Sequence, residues 1–381
     1  MYSKEDFGEQ FKWGVSLAAY QVEGAYEADG RGPSIWDNFS NRKNRIQDGS
    51  NGNVACEFYY RYEQDIALTK SLNLSHFRFS ISWTRIIPDG IGEVNQPGLD
   101  YYNRLIDCCL KYGIEPWVTL YHWDLPLALE KQGGWTNRIV VEAFIRFADV
   151  CSKSFGDRVK NWIVMNEPFT FTGLGYLVGY YAPGRFGMHN YLPAVHHATL
   201  CQAEGARRIR RNLPNAFIGT SISCSYVAPF SNHPKQEAAA RRVDALMNRL
   251  HIEPLLGMGY PVRELPVLER IEKYFHPYDL LTQLLIEHQM KTQKCFSRYR
   301  RTLLFLIGWI IVMKPMYLKR ILSITIGIIN NQQVIFVSYL KRKQYDLSNS
   351  HSCHGYSLPH CTPYGGLFIG STCINHQKRF F

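Results

Sequence analysis

A regular alternation of strand-like and helix-like segments constrains the fold of this chain more than any other feature. Short apolar or alternating runs predict strands, and longer stretches with apolar residues at helical spacing predict helices between them. The predicted strands lie at 11–20, 76–83, 116–122, 161–168 and 217–226. The predicted helices lie at 58–72, 99–112, 139–155, 192–211 and 236–250. This alternation is typical of a parallel sheet with right-handed crossovers.

The fourth predicted strand ends in a group of chemically versatile residues. Its apolar core is followed by Asn166, Glu167 and Pro168. Proline has no backbone N–H to donate to a neighbouring strand, so the strand is expected to stop there. An amide and a carboxylate are then expected at the carboxyl end of a buried strand, where α/β barrels carry their active sites.

The three earlier strands also end in polar residues. Gln21 follows the first strand, Arg78 lies in the second and His122 closes the third. In a closed barrel these side chains share one rim with Asn166 and Glu167, and we expect them to form one site. The alternative is that each residue serves the core, with Arg78 paired to a buried acid and His122 a satisfied histidine.

The basic excess of the chain is confined to its last quarter. The net charge is +11, but thirteen of the 43 basic residues and only two of the 32 acidic residues follow Gln283. Residues 1–283 therefore hold thirty of each sign and are neutral. A basic patch can indicate nucleic-acid binding, but so sharp a step indicates instead two segments of different origin, and we expect no nucleic-acid partner.

The cysteines and the N-terminus favour a cytoplasmic protein. None of the ten cysteines forms a Cys-x-x-Cys pair, and the first residues hold no apolar signal region. The tail's Cys353, His354, His360 and Cys361 fit no standard metal-site spacing, so we expect no metal.

Nine motifs, in order and at the same spacing, make residues 1–283 resemble the family 1 glycoside hydrolases. These are β-glucosidase- and β-galactosidase-type retaining enzymes built on a (β/α)8 TIM barrel. The motifs are FKWG at 11–14, AYQVEG at 19–24, RFSISW at 78–83, TLYHWDLP at 119–126, GGW at 133–135, FGDRV at 155–159, NEP at 166–168, YAPG at 181–184 and EPL at 253–255.

The resemblance implies a role for each candidate residue. Glu167 corresponds to the general acid/base, and Asn166 to the residue that hydrogen-bonds the sugar 2-hydroxyl. Gln21 and His122 correspond to binders of the other hydroxyls. Arg78 corresponds to the arginine that supports the nucleophile, and Trp123 to the aromatic lining the sugar pocket. The implied substrate is a terminal β-D-glycoside; no cofactor is needed, since two carboxylates suffice for this chemistry.

The resemblance stops near Gln283. The family's nucleophile lies in a late Thr-Glu-Asn-Gly-like strand end, which this sequence lacks; the only acids after Gln283 are Glu287 and Asp346. Four strand–helix units precede the fifth strand, so about five of the eight units of the barrel are present. We expect an incomplete barrel with two open edges and uncertain stability.

The tail, 284–381, is interpreted as a separate, partly disordered segment, and our hypothesis is that it comes from frameshifted or mis-spliced coding sequence. Its apolar runs at 303–313 and 321–329 are shorter than the ~20 residues that span a bilayer, so a membrane anchor is not favoured. Without the nucleophile, we expect the chain to lack hydrolytic activity. The alternative is a sugar- or partner-binding pseudoenzyme using Gln21, His122 and Asn166. The glycone, the aglycone and the oligomeric state stay open.

Overall fold

A computed structural model describes residues 11–277, residue 279, and the backbone of 322–329 and 332–339. Seven strands form one closed ring in chain order. The strands are β1 (Trp13–Leu17), β2 (His76–Ser80), β3 (Glu115–Tyr121), β4 (Asn161–Asn166), β5 (Phe217–Ser221), β6 (Leu322–Ile329) and β7 (Gln332–Tyr339). Neighbours from β1 to β5 pair in parallel, which confirms the predicted α/β barrel with five parallel units.

The helices surround these parallel strands. The helices are α1 (Ala19–Val22), α2 (Ile35–Ser40), α3 (Phe58–Ser71), α4 (Trp83–Ile86), α5 (Gln96–Lys111), α6 (Leu127–Lys131), α7 (Ile139–Phe155), α8 (Met188–Asn212) and α9 (Pro234–Met247). A π-helix, Thr170–Leu177, follows β4 directly. The long helices agree with the predicted ones to within a few residues, and the predicted range of α7 coincides with the observed one.

The ring closes where open edges were expected. β6 and β7 form an antiparallel hairpin; β6 pairs with β5 in antiparallel fashion, and β7 pairs with β1 in parallel. The two edges that five parallel strands would leave exposed are thereby hydrogen-bonded. The expectation of an open barrel is therefore corrected: part of the apolar run at 321–329 is a strand of the sheet. The tail's remaining predicted features, including the run at 303–313, the disorder at 351–381 and the Cys/His group, lie outside the described residues.

The strict alternation of β2 separates the barrel interior from the helix layer. The strand is buried along its whole length, on both faces. Its phenylalanines face the helices, where Phe77 stacks on Phe58 of α3 and Phe79 stacks on Tyr102 of α5. The intervening Arg78 binds side chains of β3 and β4 inside the ring. The polar positions of this alternation therefore point into the barrel rather than into solvent.

All five predicted strands end earlier in the structure, and the fifth, predicted to run to 226, stops at Ser221. β2 stops at Ser80, and the chain turns into α4 at Trp83, whose ring stacks on Phe147 of α7 at 4.9 Å between centroids. β1 stops at Leu17, and Gln21 lies in α1 rather than on the strand. The main-chain N–H of Ala19 donates to Ser80 Oγ at 2.8 Å, so α1 is anchored to the end of β2.

The segment after α9 packs on α8 through a second apolar cluster and an ion pair. Leu268 and Ile271 are buried in this cluster together with Tyr191 and Val195 of α8. Asp279 pairs with Arg138 at the start of α7 and lies 3.0 Å from Nε2 of His196 in α8. Burial alone would raise the pKa of Asp279, but hydrogen bonds, of which that from Arg138 has the largest effect, lower it to about 2. This ion pair holds Asp279 against α7 and α8.

Candidate active site

The end of β4 places Asn166 and Glu167 on the rim of the barrel. The backbone of Glu167 is left-handed, with φ of 46°, an uncommon conformation for a residue other than glycine. Two hydrogen bonds hold it: the N–H of Glu167 donates to Ser221 O of β5 at 2.8 Å, and Thr170 N–H donates to Glu167 O at 2.9 Å. Strained residues of this kind cluster at functional sites, where surrounding contacts hold them.

Arg78 binds the residue next to Glu167. Its Nη2 donates to Asn166 Oδ1 at 2.5 Å and its Nε donates to Thr119 Oγ1 at 2.9 Å. The guanidinium is fully buried, and burial lowers its pKa to about 10 although Glu167 pulls it upward. The arginine is thus a buried cation inside the barrel, in electrostatic contact with Glu167.

Burial raises the pKa of Glu167. The opposing influences, in order, are the hydrogen bond from Thr170, the charge of Arg78 and a hydrogen bond from Asn166. Among the described residues, no neighbouring carboxylate contributes to the upward shift. A raised pKa is what a general acid at neutral pH needs. Here desolvation supplies it, rather than repulsion from a second acid.

His122 and Trp123 extend the site along the end of β3. Trp123 has a φ of 82°, and its Nε1 donates to Asn166 O at 2.9 Å. The rings of His122 and Trp123 lie 5.2 Å apart. Burial and the charge of Arg78 hold the pKa of His122 well below its usual range, so the imidazole is neutral. Its Nδ1 is buried and has no hydrogen-bond partner within the described part of the chain.

An aromatic wall that the sequence analysis missed continues from Trp123. The ring centroid of Tyr181 lies 6.0 Å from that of Trp123 and 5.5 Å from that of Trp36. Trp36 in turn contacts Tyr20, the neighbour of Gln21. These contacts connect the loops after β1, β3 and β4 around one rim. Aromatic residues that come from three loops carry no common periodicity, so only the fold brings them together.

The structure therefore unites five of the six predicted residues through direct or electrostatic contacts. Arg78, Asn166 and Trp123 are linked by hydrogen bonds, and the charge of Arg78 acts on His122 and Glu167. Gln21 lies in α1, which follows β1. Their roles towards a sugar stay predictions.

The described residues contain neither a metal-binding cluster nor a membrane-spanning helix. In the part of the chain that the structure covers, no group of three or more His, Cys, Asp or Glu side chains could hold a metal ion. Within the same ranges, no helix has the length and apolar character that a membrane span requires.

These features define an α/β-barrel protein with a buried acid and neighbouring polar and aromatic groups at the carboxyl ends of its strands. The family model for glycosyl hydrolase family 1 matches residues 3–296. The chain belongs to this family. The match begins at residue 3 of the predicted family part, 1–283, and runs past its end to residue 296.

Individual relatives of this chain are named β-glucosidases. The chain is 41% identical to β-glucosidase A of Acetivibrio thermocellus over 280 residues, which cover 73% of this chain and 62% of that protein. It is 43% identical to β-glucosidase 42 of Arabidopsis thaliana, over 68% of this chain and 54% of that protein.

Solved structures resemble the fold as well. A complex of the virulence factor SghA with its substrate analogue salicin matches with a TM-score of 0.70 and 39% identity, over 72% of this chain and 60% of that one. The family 1 β-glucosidase from Thermotoga maritima matches with a TM-score of 0.69 and 40% identity, over 74% of this chain and 63% of that one. The chain spans roughly 54–62% of the length of the two curated relatives named above.

Proposed function

We propose that this protein acts on terminal β-D-glycosides, with Glu167 as the general acid/base of a retaining mechanism. The observation that carries the proposal is the buried carboxyl of Glu167, with its raised pKa, at the end of β4. Cleavage of a glycosidic bond needs a proton on the leaving oxygen, and a carboxyl that is still protonated near neutral pH can supply it.

The surrounding groups suit a sugar ring. Asn166 is held by Arg78 and Trp123, so its amide is fixed before a ligand arrives. A neutral His122 can donate from one ring nitrogen and accept at the other, which matches the dual character of a hydroxyl. The rings of Trp123, Tyr181 and Trp36 offer apolar faces of the kind that pack on the C–H face of a pyranose.

The covalent step needs a second carboxylate about 5–5.5 Å from the first. The sequence has no Thr-Glu-Asn-Gly strand end to supply it. A second candidate function, sugar binding without turnover, is supported by this missing nucleophile.

Glycoside binding and turnover are measured separately. Purified full-length chain is titrated with methyl β-D-glucoside and methyl β-D-galactoside by calorimetry, and then assayed with a nitrophenyl β-glucoside. Binding without turnover favours the pseudoenzyme, and turnover lost in Glu167→Gln favours the hydrolase. Glu142→Gln changes an exposed glutamate of α7 and is the matched control. Absence of both binding and turnover refutes the proposal.

Two further expectations stay proposals. A cytoplasmic location is supported by the six free cysteines of the described part, and cell fractionation tests it. A separate origin for residues 284–381 is supported by the charge step and the loss of family motifs. Translation of the downstream DNA in all three frames tests that origin, and failure to find Thr-Glu-Asn-Gly in any frame counts against it.

A further inference from the structure

Thr170 is tied to Glu167 twice. Its main-chain N–H donates to Glu167 O at 2.9 Å, and its hydroxyl Oγ1 donates to Glu167 Oε2 at 3.1 Å. The residue begins the π-helix Thr170–Leu177, which follows β4 almost directly. The same short segment therefore controls both the backbone and the carboxyl group of Glu167.

Helix capping does not explain the side-chain contact. A capping threonine accepts a hydrogen bond from a backbone N–H, whereas this hydroxyl donates to a carboxylate oxygen. The residue at the cap position is Phe169, and it makes no side-chain cap. Two threonines of the same helix therefore differ in role. Thr172 Oγ1 donates to the backbone oxygen of Pro168 at 2.6 Å, whereas Thr170 Oγ1 donates to the side chain of Glu167.

The contact distinguishes the two carboxyl oxygens. A hydroxyl that donates to Oε2 favours negative charge on that oxygen, so a proton on the carboxyl is favoured on Oε1. We propose that Thr170 is a positioning residue, which holds Oε2 of Glu167 so that Oε1 carries the proton exchanged with a glycoside. The meaning of this step for catalysis rests on the proposed function, whereas the hydrogen bond itself does not.

The other groups that act on Glu167 are few. Arg78 on β2 supplies the charge, Asn166 on β4 supplies an amide, and the burial of the site opposes ionisation. Arg78 and Asn166 are held by each other and by β3, so neither depends on Thr170. Removal of the Thr170 hydroxyl should therefore alter Glu167 without dismantling the rest of the site.

The test measures the titration of Glu167 in the full-length chain. Glutamate is labelled with ¹³C at the side-chain carboxyl, and the signal missing from Glu167→Gln identifies the residue. Thr170→Val is expected to raise the pKa of Glu167 by about one unit, since a hydrogen bond to a charged group is worth roughly that much. Thr170→Ser keeps a hydroxyl and should restore the wild-type titration.

The controls separate this role from a structural one. Thr172→Val makes the same change two residues further along the helix and should leave the titration of Glu167 unchanged, whatever it does to thermal stability. Thr170→Ala replaces the valine variant if circular dichroism shows that valine disturbs the fold. An unchanged titration in the folded Thr170 variant, or a shift that serine fails to reverse, overturns the proposal. The readout requires no turnover, so an inactive chain would refute the hydrolase proposal and leave this test intact.

Discussion

At the scale of single residues, the site is built around ionisable groups whose pKa values are shifted by burial. Glu167 is held towards its neutral form and His122 is neutral, while Arg78 keeps its charge inside the barrel. Each shift has burial as its largest cause, and hydrogen bonds or neighbouring charges adjust it. The barrel interior therefore sets the protonation states that the site would use.

Asp124 is a further buried acid, next to Trp123, for which the site chemistry above has no use. Its side chain is 1% exposed, and burial raises its pKa to about 7 against the attraction of Arg31. Because its unfolded pKa is about 3.9, the folded state holds this proton more tightly than the unfolded state. Folding is therefore penalised as pH rises from about 4 to about 7, and the penalty is constant above that range.

Asp124→Asn removes the ionisable group while keeping its shape. As pH rises from 4 to 7, we expect the free energy of unfolding of this variant to increase relative to that of the wild type, by up to about 3–4 kcal/mol. Urea unfolding at pH 4, 5.5, 7 and 8 measures the difference. The control Asp100→Asn makes the same change at an exposed position of α5 and supplies the baseline. A difference for Asp124→Asn that does not change with pH would contradict the assigned pKa.

At the scale of elements, close approach of helix to sheet fixes the frame behind the site. Gly205 lies on the buried face of α8, where a Cβ would come 2.6 Å from Cε1 of Phe144 in α7 and 3.1 Å from Cγ1 of Val164 in β4. Because Gly205 has no side chain, α7, α8 and β4 can pack closely at Val164, just before Asn166 and Glu167 in the chain.

Helix propensity and packing make opposite predictions for Gly205→Ala. Propensity alone favours alanine by about 1 kcal/mol, whereas overpacking of a tight core costs about 1–3 kcal/mol. We expect a net loss of stability, measured as a lower urea midpoint. Ala206→Gly, at the neighbouring and partly buried position, should cost about 1 kcal/mol from propensity. A stabilised Gly205→Ala variant would show that the contact with Phe144 relaxes freely.

At the scale of the whole molecule, the hairpin of β6 and β7 completes the ring. Its pairing with β5 is short, at two residue pairs, whereas β7 pairs with β1 at four. Closure removes two sheet edges that would otherwise present unpaired backbone groups. The stability of the parallel part therefore depends on a segment that lies outside the matched family region.

Val337→Pro tests this closure. Residue 337 pairs with Val15 of β1 on one side and Ile324 of β6 on the other. Proline removes a donor from a strand between two neighbours, which such positions tolerate poorly. Hydrogen exchange measured by mass spectrometry should become faster in the segment Trp13–Leu17. Gln332→Pro, at the first residue of β7, is the control and should change exchange much less. Unaltered exchange in Val337→Pro would mean that β7 does not protect β1.

The sequence by itself determined the helices, the order of the five parallel strands, and which strand ends carry polar residues. These are local patterns: the 3.6-residue period of α7, the alternation of β2 and the proline after β4 are each visible in a short window. Family motifs added the roles expected of Glu167 and its neighbours, because their order and spacing are specific.

Only the tertiary structure decided the remaining features. The pairing of β6 with β5 and of β7 with β1 joins segments about one hundred or more residues apart. No local sequence pattern can therefore predict it. The hydrogen bond from Thr170 to Glu167 depends on the left-handed turn and the π-helix, and the neutral state of His122 depends on burial beside Arg78. Dielectric environment and long-range strand pairing arise from packing, and a linear pattern of residues does not contain them.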